Sequence, residues 1–163
     1  MNAQIPQSAE AQLLVRAARP EDLPEVHRML IALAAHHGDA ATITPARLAE
    51  LCFETGEALV LVACLPGSPA RDPVGYALVT RRHEMTSGRM LQEVTHLYVQ
   101  PPFRGRGLAR ALIEAARALA LAGAAQRLTI GADLRNQGAA ETYRRMGLQE
   151  LPAPGPRFAV TLA

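Results

Sequence analysis

Residues 97–109, Leu-Tyr-Val-Gln-Pro-Pro-Phe-Arg-Gly-Arg-Gly-Leu-Ala, constrain this chain more than any other stretch. Leu97, Tyr98 and Val99 close a run of strand-forming residues, and Pro101 and Pro102 stop it, since proline has no amide donor for a ladder. Gly105 and Gly107 permit a tight turn. A helix must follow, because Leu108, Ala111, Leu112, Ala115, Leu119 and Ala122 recur at helical spacing and Gly123 sits just past their end. Strand 91–99, helix 107–122 and strand 127–132 then form one βαβ unit, which implies a parallel pair.

The other elements arrange themselves around that unit. Residues 1–11 read as a flexible polar tail, and residues 12–163 as a single domain. Residues 13–17 make a short apolar strand. Pro20-Glu21-Asp22 opens a helix with acids in its first turn, where the helix dipole favours them. That helix carries Leu23, Val26, Leu30 and Leu33 on one face and ends at His36-His37-Gly38-Asp39. Thr44-Pro45 is an N-cap and first helical position for a second helix reaching Phe53. Apolar runs 57–65 and 74–82, with a Pro- and Gly-rich loop at 66–73 between them, are paired antiparallel strands. A turn at Thr86-Ser87-Gly88 leads into strand 90–99. After strand 127–132, residues 136–146 are helical up to Gly147, and residues 158–162 form a last strand. The order β-α-α-β-β-β-α-β-α-β predicts an α/β fold. It has a mixed, mostly antiparallel sheet, one parallel βαβ unit and helices on both faces.

Composition excludes several function classes. A net charge of +2, from 17 basic against 15 acidic residues, creates no field that calls for nucleic acid. All the basic residues are arginine, so Schiff-base lysines and lysine-dependent phosphate loops are out. The apolar runs fall far short of the roughly 20 residues that span a bilayer, so no membrane is expected as partner. Residues 1–11 lack a signal-peptide pattern, which leaves the cytoplasm as the expected compartment. Cys52 and Cys64 lie apart in apolar settings and read as buried thiols. The histidines at 27, 36, 37, 83 and 96 lack metal-ligand spacing, and no metal is expected.

The segment at 104–109 also suggests chemistry. Amide groups freed by Gly105 and Gly107, at the start of a helix, suit a phosphate or pyrophosphate, and Arg104 and Arg106 add charge. A solvated βα turn would look the same on glycine spacing alone. The whole segment resembles the acyl-CoA signature of the GNAT N-acetyltransferase superfamily, Arg/Gln-x-x-Gly-x-Gly/Ala, matched by Arg104, Gly107 and Ala109. Leu97-Tyr98-Val99 and Pro101 resemble the strand that enters that loop. Residues 136–148 resemble the family's later motif, in which Asn, a small residue, Tyr and Gly-Phe/Leu recur. Asn136 and Tyr143, seven apart, share a helix face that Ala139 and Ala140 keep low.

The resemblance implies an acetyl-CoA-dependent N-acetyltransferase, with acetyl-CoA as cosubstrate. Amide groups from Arg104 through Gly105, Arg106, Gly107 and Leu108 to Ala109 would hold its pyrophosphate. The backbone of Leu97, Tyr98 and Val99 would pair with its pantetheine arm, and Asn136, Ala139 and Tyr143 would face it. It also implies Tyr143 as the acid that protonates the leaving thiolate, and a small-molecule primary amine as acceptor. Glu93 falls where some members carry a catalytic carboxylate and would act through water. Strict alternation puts Glu93, Thr95, Leu97 and Val99 on one face and Val94, His96 and Tyr98 on the other. Residues 30–34 and 44–53 resemble the diamine N-acetyltransferase branch, with His36, His37, Asp39 and Glu93 as candidates to line an amine site. A CoA-binding sensor without turnover is the competing reading, and a homodimer is left open.

Overall fold

The structure, a computed structural model, describes residues 13–65, 72–133, 136–152 and 155–161. The expected tail at 1–11 and most of the loop at 66–73 lie outside these residues. The chain divides into two units, Met1–Gly131 and Ala132–Ala163.

The first unit is one five-stranded sheet in sequence order: β1 (Leu14–Ala17), β2 (Ala58–Cys64), β3 (Pro73–Glu84), β4 (Arg89–Val99) and β5 (Arg127–Ile130). The first four strands pair antiparallel, and β4 and β5 are parallel. Between β1 and β2 stand α1 (Leu23–His37) and α2 (Pro45–Ala49), the latter continued by a wider turn at Glu50–Glu54. Helix α3 (Leu108–Ala122) makes the crossover from β4 to β5. The expected mixed α/β architecture is the observed one.

Each face of the sheet has its own core. On one, Val26, Met29, Leu30 and Leu33 of α1 and Leu48 of α2 pack on Val60, Val62, Tyr76 and Leu78. On the other, Leu108, Leu112 and Ala116 of α3 pack on Leu61, Ala63, Ala77, Val79, Val94 and Val99. Alternate residues of β2 and β3 therefore serve opposite cores, which is why both strands read as continuous apolar runs rather than as alternating ones. The α3 stripe also includes Ile113 and Ala120, whereas Ala122, expected on it, is exposed.

Helix α1 is fixed at both ends. Asp22 accepts from the Arg16 guanidinium at 2.5 and 2.9 Å and from the Arg19 amide at 2.7 Å. Gln100, just after β4, donates to Glu25 at 2.7 Å. The helix stops at Gly38, whose φ of +81° is left-handed, a conformation that glycine adopts without the strain a Cβ would bring.

In the second unit, α4 (Gln137–Arg145) is capped by Asn136, whose Oδ1 accepts from the Ala139 amide at 3.1 Å. The expected strand at 158–162 is not formed within 155–161; Leu162 lies outside the described residues. Pro152, Pro154 and Pro156 remove three amide donors just ahead of it. Phe158 and Val160 stand 94% and 79% exposed, so the apolar run found no layer to cover it.

Candidate functional site

The exit of β4 is the first part of the site. The parallel ladder joins Leu91–Val94 to Arg127–Ile130 and goes no further. Leu97, Tyr98 and Val99 pair with Ala77, Tyr76 and Gly75 of β3. Among the described residues no strand covers their other edge, which leaves backbone hydrogen-bonding groups for another extended chain.

Beyond that edge a short turn at Pro101–Phe103 feeds the glycine loop. Gly105 and Gly107 have φ of +74° and +81°, and a Cβ on either would meet at nearest the Leu13 side chain at 4.0 Å. Conformation, not space, therefore requires glycine here. Gly107 is the N-cap of α3 and offers no side-chain cap, and the first intrahelical bond runs from the Ala111 amide to the Gly107 carbonyl at 2.9 Å. The amides of Leu108, Ala109 and Arg110 consequently have no acceptor within the helix. They point along a fifteen-residue helix dipole.

The two arginines beside the loop differ in their surroundings. The Arg104 amide is engaged with the Pro101 carbonyl at 3.3 Å. Its Nε donates to the Val99 carbonyl at 2.9 Å, and its guanidinium lies 5.7 Å from the Tyr98 ring centre. Arg104 thus ties the loop back to the strand. Arg106 lies over Phe103 at 5.7 Å on the exposed rim.

The second part is a pocket of about 470 Å³ on the α1 face of the sheet. Leu30 and Ala34 of α1, Ile43 before α2, and Leu48 and Leu51 form its walls. Ala58, Leu78, Thr80 and His96 form its floor, and Glu57 and Thr42 also line it. His27 secures one wall by donating from Nε2 to the Ile43 carbonyl at 2.9 Å.

A bulge in β4 sets what this floor presents. Leu78 pairs with His96, but Val79 pairs with Val94, so Thr95 is an extra residue; its hydroxyl donates to the Leu78 carbonyl at 3.3 Å. The bulge corrects the expected alternation. Val94 shares the α3 core with Val99, whereas Glu93, opposite Thr80, is on the face of His96 and Tyr98.

His96 is half-buried. Its Nδ1 shares a 3.2 Å hydrogen bond with the hydroxyl of Tyr76, which is fully buried. Burial, assisted by the charge of His37, holds the imidazole below its usual value, so it is neutral at pH 7. Burial also pushes the Tyr76 phenol upward. The pocket is not lined by His36, His37, Asp39 or Glu93, the residues expected from sequence. The side chains found in their place, notably Glu57 and Thr80, were invisible without the strand register.

Asn136, Ala139 and Tyr143 belong to α4 of the second unit. Asn136 is committed to its capping bond. Tyr143 is partly buried, and burial raises its phenol above the ordinary value, so the group is protonated at neutral pH.

The sequence model of the acetyltransferase (GNAT) family matches residues 26–148. No curated protein matches the sequence significantly. Among solved structures, the chain is similar to an aminoglycoside acetyltransferase from an uncultured soil metagenomic sample. That likeness has a TM-score of 0.76 at 18% identity and covers 91% of this chain and 97% of that one. It is similar to a ribosomal-protein-alanine N-acetyltransferase from Brucella melitensis biovar Abortus 2308, at TM-score 0.68 and 21% identity over 91% and 100% of the two chains. It is also similar to a transcriptional regulator from Bacillus halodurans C-125, at TM-score 0.75 and 17% identity over 91% and 100%. Identities this low show the fold alone, and the variety of these proteins illustrates why a fold does not name a substrate.

Proposed function

The chain belongs to the GNAT acetyltransferase family, and we propose that it transfers an acetyl group from acetyl-CoA to the primary amine of a small molecule by direct attack. One observation carries the proposal: the edge at Leu97, Tyr98 and Val99, which no strand covers among the described residues, leads through the glycine loop to the uncapped start of α3. An extended amide-bearing arm fits such an edge, and a pyrophosphate fits such a helix start. The donor amides are those from Gly105 to Ala109, with Arg104 bracing the loop and Arg106 adding charge at its rim.

Acetyl-CoA supplies an activated thioester, so the protein needs no nucleophile of its own. The acceptor nitrogen forms the new C–N bond, the C–S bond breaks, and the nitrogen gives up a proton. Glu93 takes that proton through water. Tyr143, protonated at neutral pH, delivers one to the departing sulfur, a role that rests on the family resemblance. A backbone amide of the 97–99 edge donates to the carbonyl oxygen as charge develops there. The acceptor site is the pocket on the α1 face, beside the bulge that carries Glu93 and His96 to one side of β4. The compartment remains the cytoplasm in this reading; among the described residues no helix is long and apolar enough to cross a membrane.

The test is release of free CoA from acetyl-CoA across a panel of primary amines, read with a thiol reagent. Amine-dependent release supports the proposal. Acetyl-CoA binding without release under any amine would favour the competing CoA-binding sensor.

A further inference from the structure

We infer that His96 offers the pocket an Nε2–H donor instead of a lone pair, and that the amine acetylated here carries a neutral oxygen acceptor, an amide or other carbonyl, for that donor to hold. The inference rests on the acetyl-transfer reading above and adds the class of acceptor. It also removes His96 as a rival to Glu93 for the role of base.

Hydrogen-bond accounting decides the tautomer. Tyr76 is fully buried, and among the described residues its hydroxyl has one partner, Nδ1 of His96 at 3.2 Å. A phenol can leave a lone pair unused at little cost, whereas a buried O–H without an acceptor bears its desolvation penalty in full. Burial keeps the proton on the phenol. Were Nδ1 to donate, the phenol oxygen would accept and its own proton would have no acceptor. The satisfied arrangement is the reverse: Tyr76 donates, Nδ1 accepts, and the proton of the neutral ring is on Nε2. The same bond opposes protonation of the ring, since an imidazolium would have to donate from Nδ1, and burial and the charge of His37 act in that direction too. Among the described residues the one buried side-chain atom without a partner is Oε1 of Gln92, so Nε2, which bonds nothing in the protein, is open to a ligand.

The lining of the pocket defines what Nε2–H can hold. The reacting nitrogen must keep its lone pair for the thioester, so the donor engages another atom of the same molecule. Among the described residues no arginine lines the pocket, and its one ionised liner is Glu57, exposed and negative. A carboxylate on the acceptor would therefore have no cation beside it, while a neutral carbonyl oxygen needs only a donor. Leu30, Ile43, Leu48, Leu51 and Leu78 supply apolar surface for the rest of the molecule.

Long-range proton–nitrogen spectra of the histidine rings read the tautomer at pH 7.5, with the His96 signals assigned by their loss in His96→Gln. Nε2 alone should carry the proton; the Nδ1–H tautomer, an even mixture or an imidazolium overturns the inference. Tyr76→Phe should let the Nδ1–H form appear, and a spectrum identical to the parent's would overturn the part given to Tyr76. For the substrate class, 5-aminopentanamide, its apolar isostere 5-methylhexylamine and 5-aminopentanoate are compared per free amine at saturating acetyl-CoA, each also one and two methylenes shorter. At the best length, the amide-to-isostere ratio of kcat/KM should fall by about tenfold in His96→Phe, the factor of one neutral hydrogen bond near the top of its usual range. The carboxylate should be poorer than the amide by about tenfold or more. An unchanged ratio, or a carboxylate used as well as the amide, would overturn the class and leave acetyl transfer standing. Should no amine release CoA, the transfer reading fails, and titration into the CoA complex still decides the class. The amide should then shift the His96 Nε2 signal and the isostere should not; no shift, or the same shift with both, overturns it.

Discussion

Tyr143 carries its proton at neutral pH because burial disfavours the phenolate. Tyr143→Phe removes only the hydroxyl, so acetyl-CoA binding should persist while kcat falls by about 10²–10⁴-fold, the usual contribution of general acid catalysis. A loss below about threefold at saturating amine would reduce Tyr143 to a packing residue. Glu93 is tested by pH. An aliphatic amine has a reference pKa near 10.4, so a base matters most where the free amine is scarce. Glu93→Gln should therefore lose most rate at low pH and recover in part as pH rises. A uniform loss at every pH would mean that Glu93 positions rather than deprotonates. At this scale the sequence was legible where a residue type states its own reason: glycine at positive φ in positions 105 and 107, asparagine at a helix start in position 136. The facing of Glu93 was not legible. Period-2 reasoning assumes an unbroken ladder, and nothing in Val94-Thr95-His96 announces that Thr95 is supernumerary.

Among the elements, α1 forms one wall of the pocket, and its anchor is electrostatic. Burial by itself would raise the Asp22 carboxyl. The hydrogen bonds from Arg16 and Arg19 outweigh that, and the group is held below its ordinary value. A carboxyl with a depressed folded-state pKa contributes stability that is complete above the unfolded value near 4 and is lost as pH falls through the folded one. Asp22→Asn should thus cost about 1.5–3 kcal/mol at pH 7, typical of charged hydrogen bonds. The difference in Tm from the parent protein should shrink below about pH 4. A gap that stays constant down to pH 3 would exclude this origin. On the other face, Gln92 is buried beside α3 with Oε1 unpaired. Gln92→Met relieves an unsatisfied acceptor and should raise Tm by about 2–4 °C for about 1 kcal/mol. A lower Tm would show that the amide is needed. Element existence was readable throughout from caps, glycine stops and apolar spacing. The exception is the strand expected at 158–162, where local apolar character says nothing about whether a partner edge is available.

For the molecule as a whole, the βαβ unit written in residues 91–132 does two things at once. It closes the second core through Leu108, Leu112 and Ala116. It also stops β5 at Ile130, so that among the described residues no strand pairs with the outer edge of the last residues of β4, which lead to the uncapped start of α3. The opposite face, built by α1 and α2, provides the pocket. Cofactor features were legible because backbone conformation there depends on glycine and proline, whereas the pocket is assembled from five segments far apart in sequence. The central claim is that amides at the start of α3, more than any side chain, hold acetyl-CoA. Calorimetric titration of acetyl-CoA onto the parent protein, Arg106→Ala and Ala109→Pro measures it. Proline in a first helical turn removes a donor that has no intrahelical acceptor and leaves the helix intact, as circular dichroism can verify. Arg106→Ala should weaken binding by about tenfold, as for a rim contact of about 1–2 kcal/mol, and Ala109→Pro by well over that. Unchanged affinity in a folded Ala109→Pro protein, or no binding of acetyl-CoA to the parent, would contradict the account.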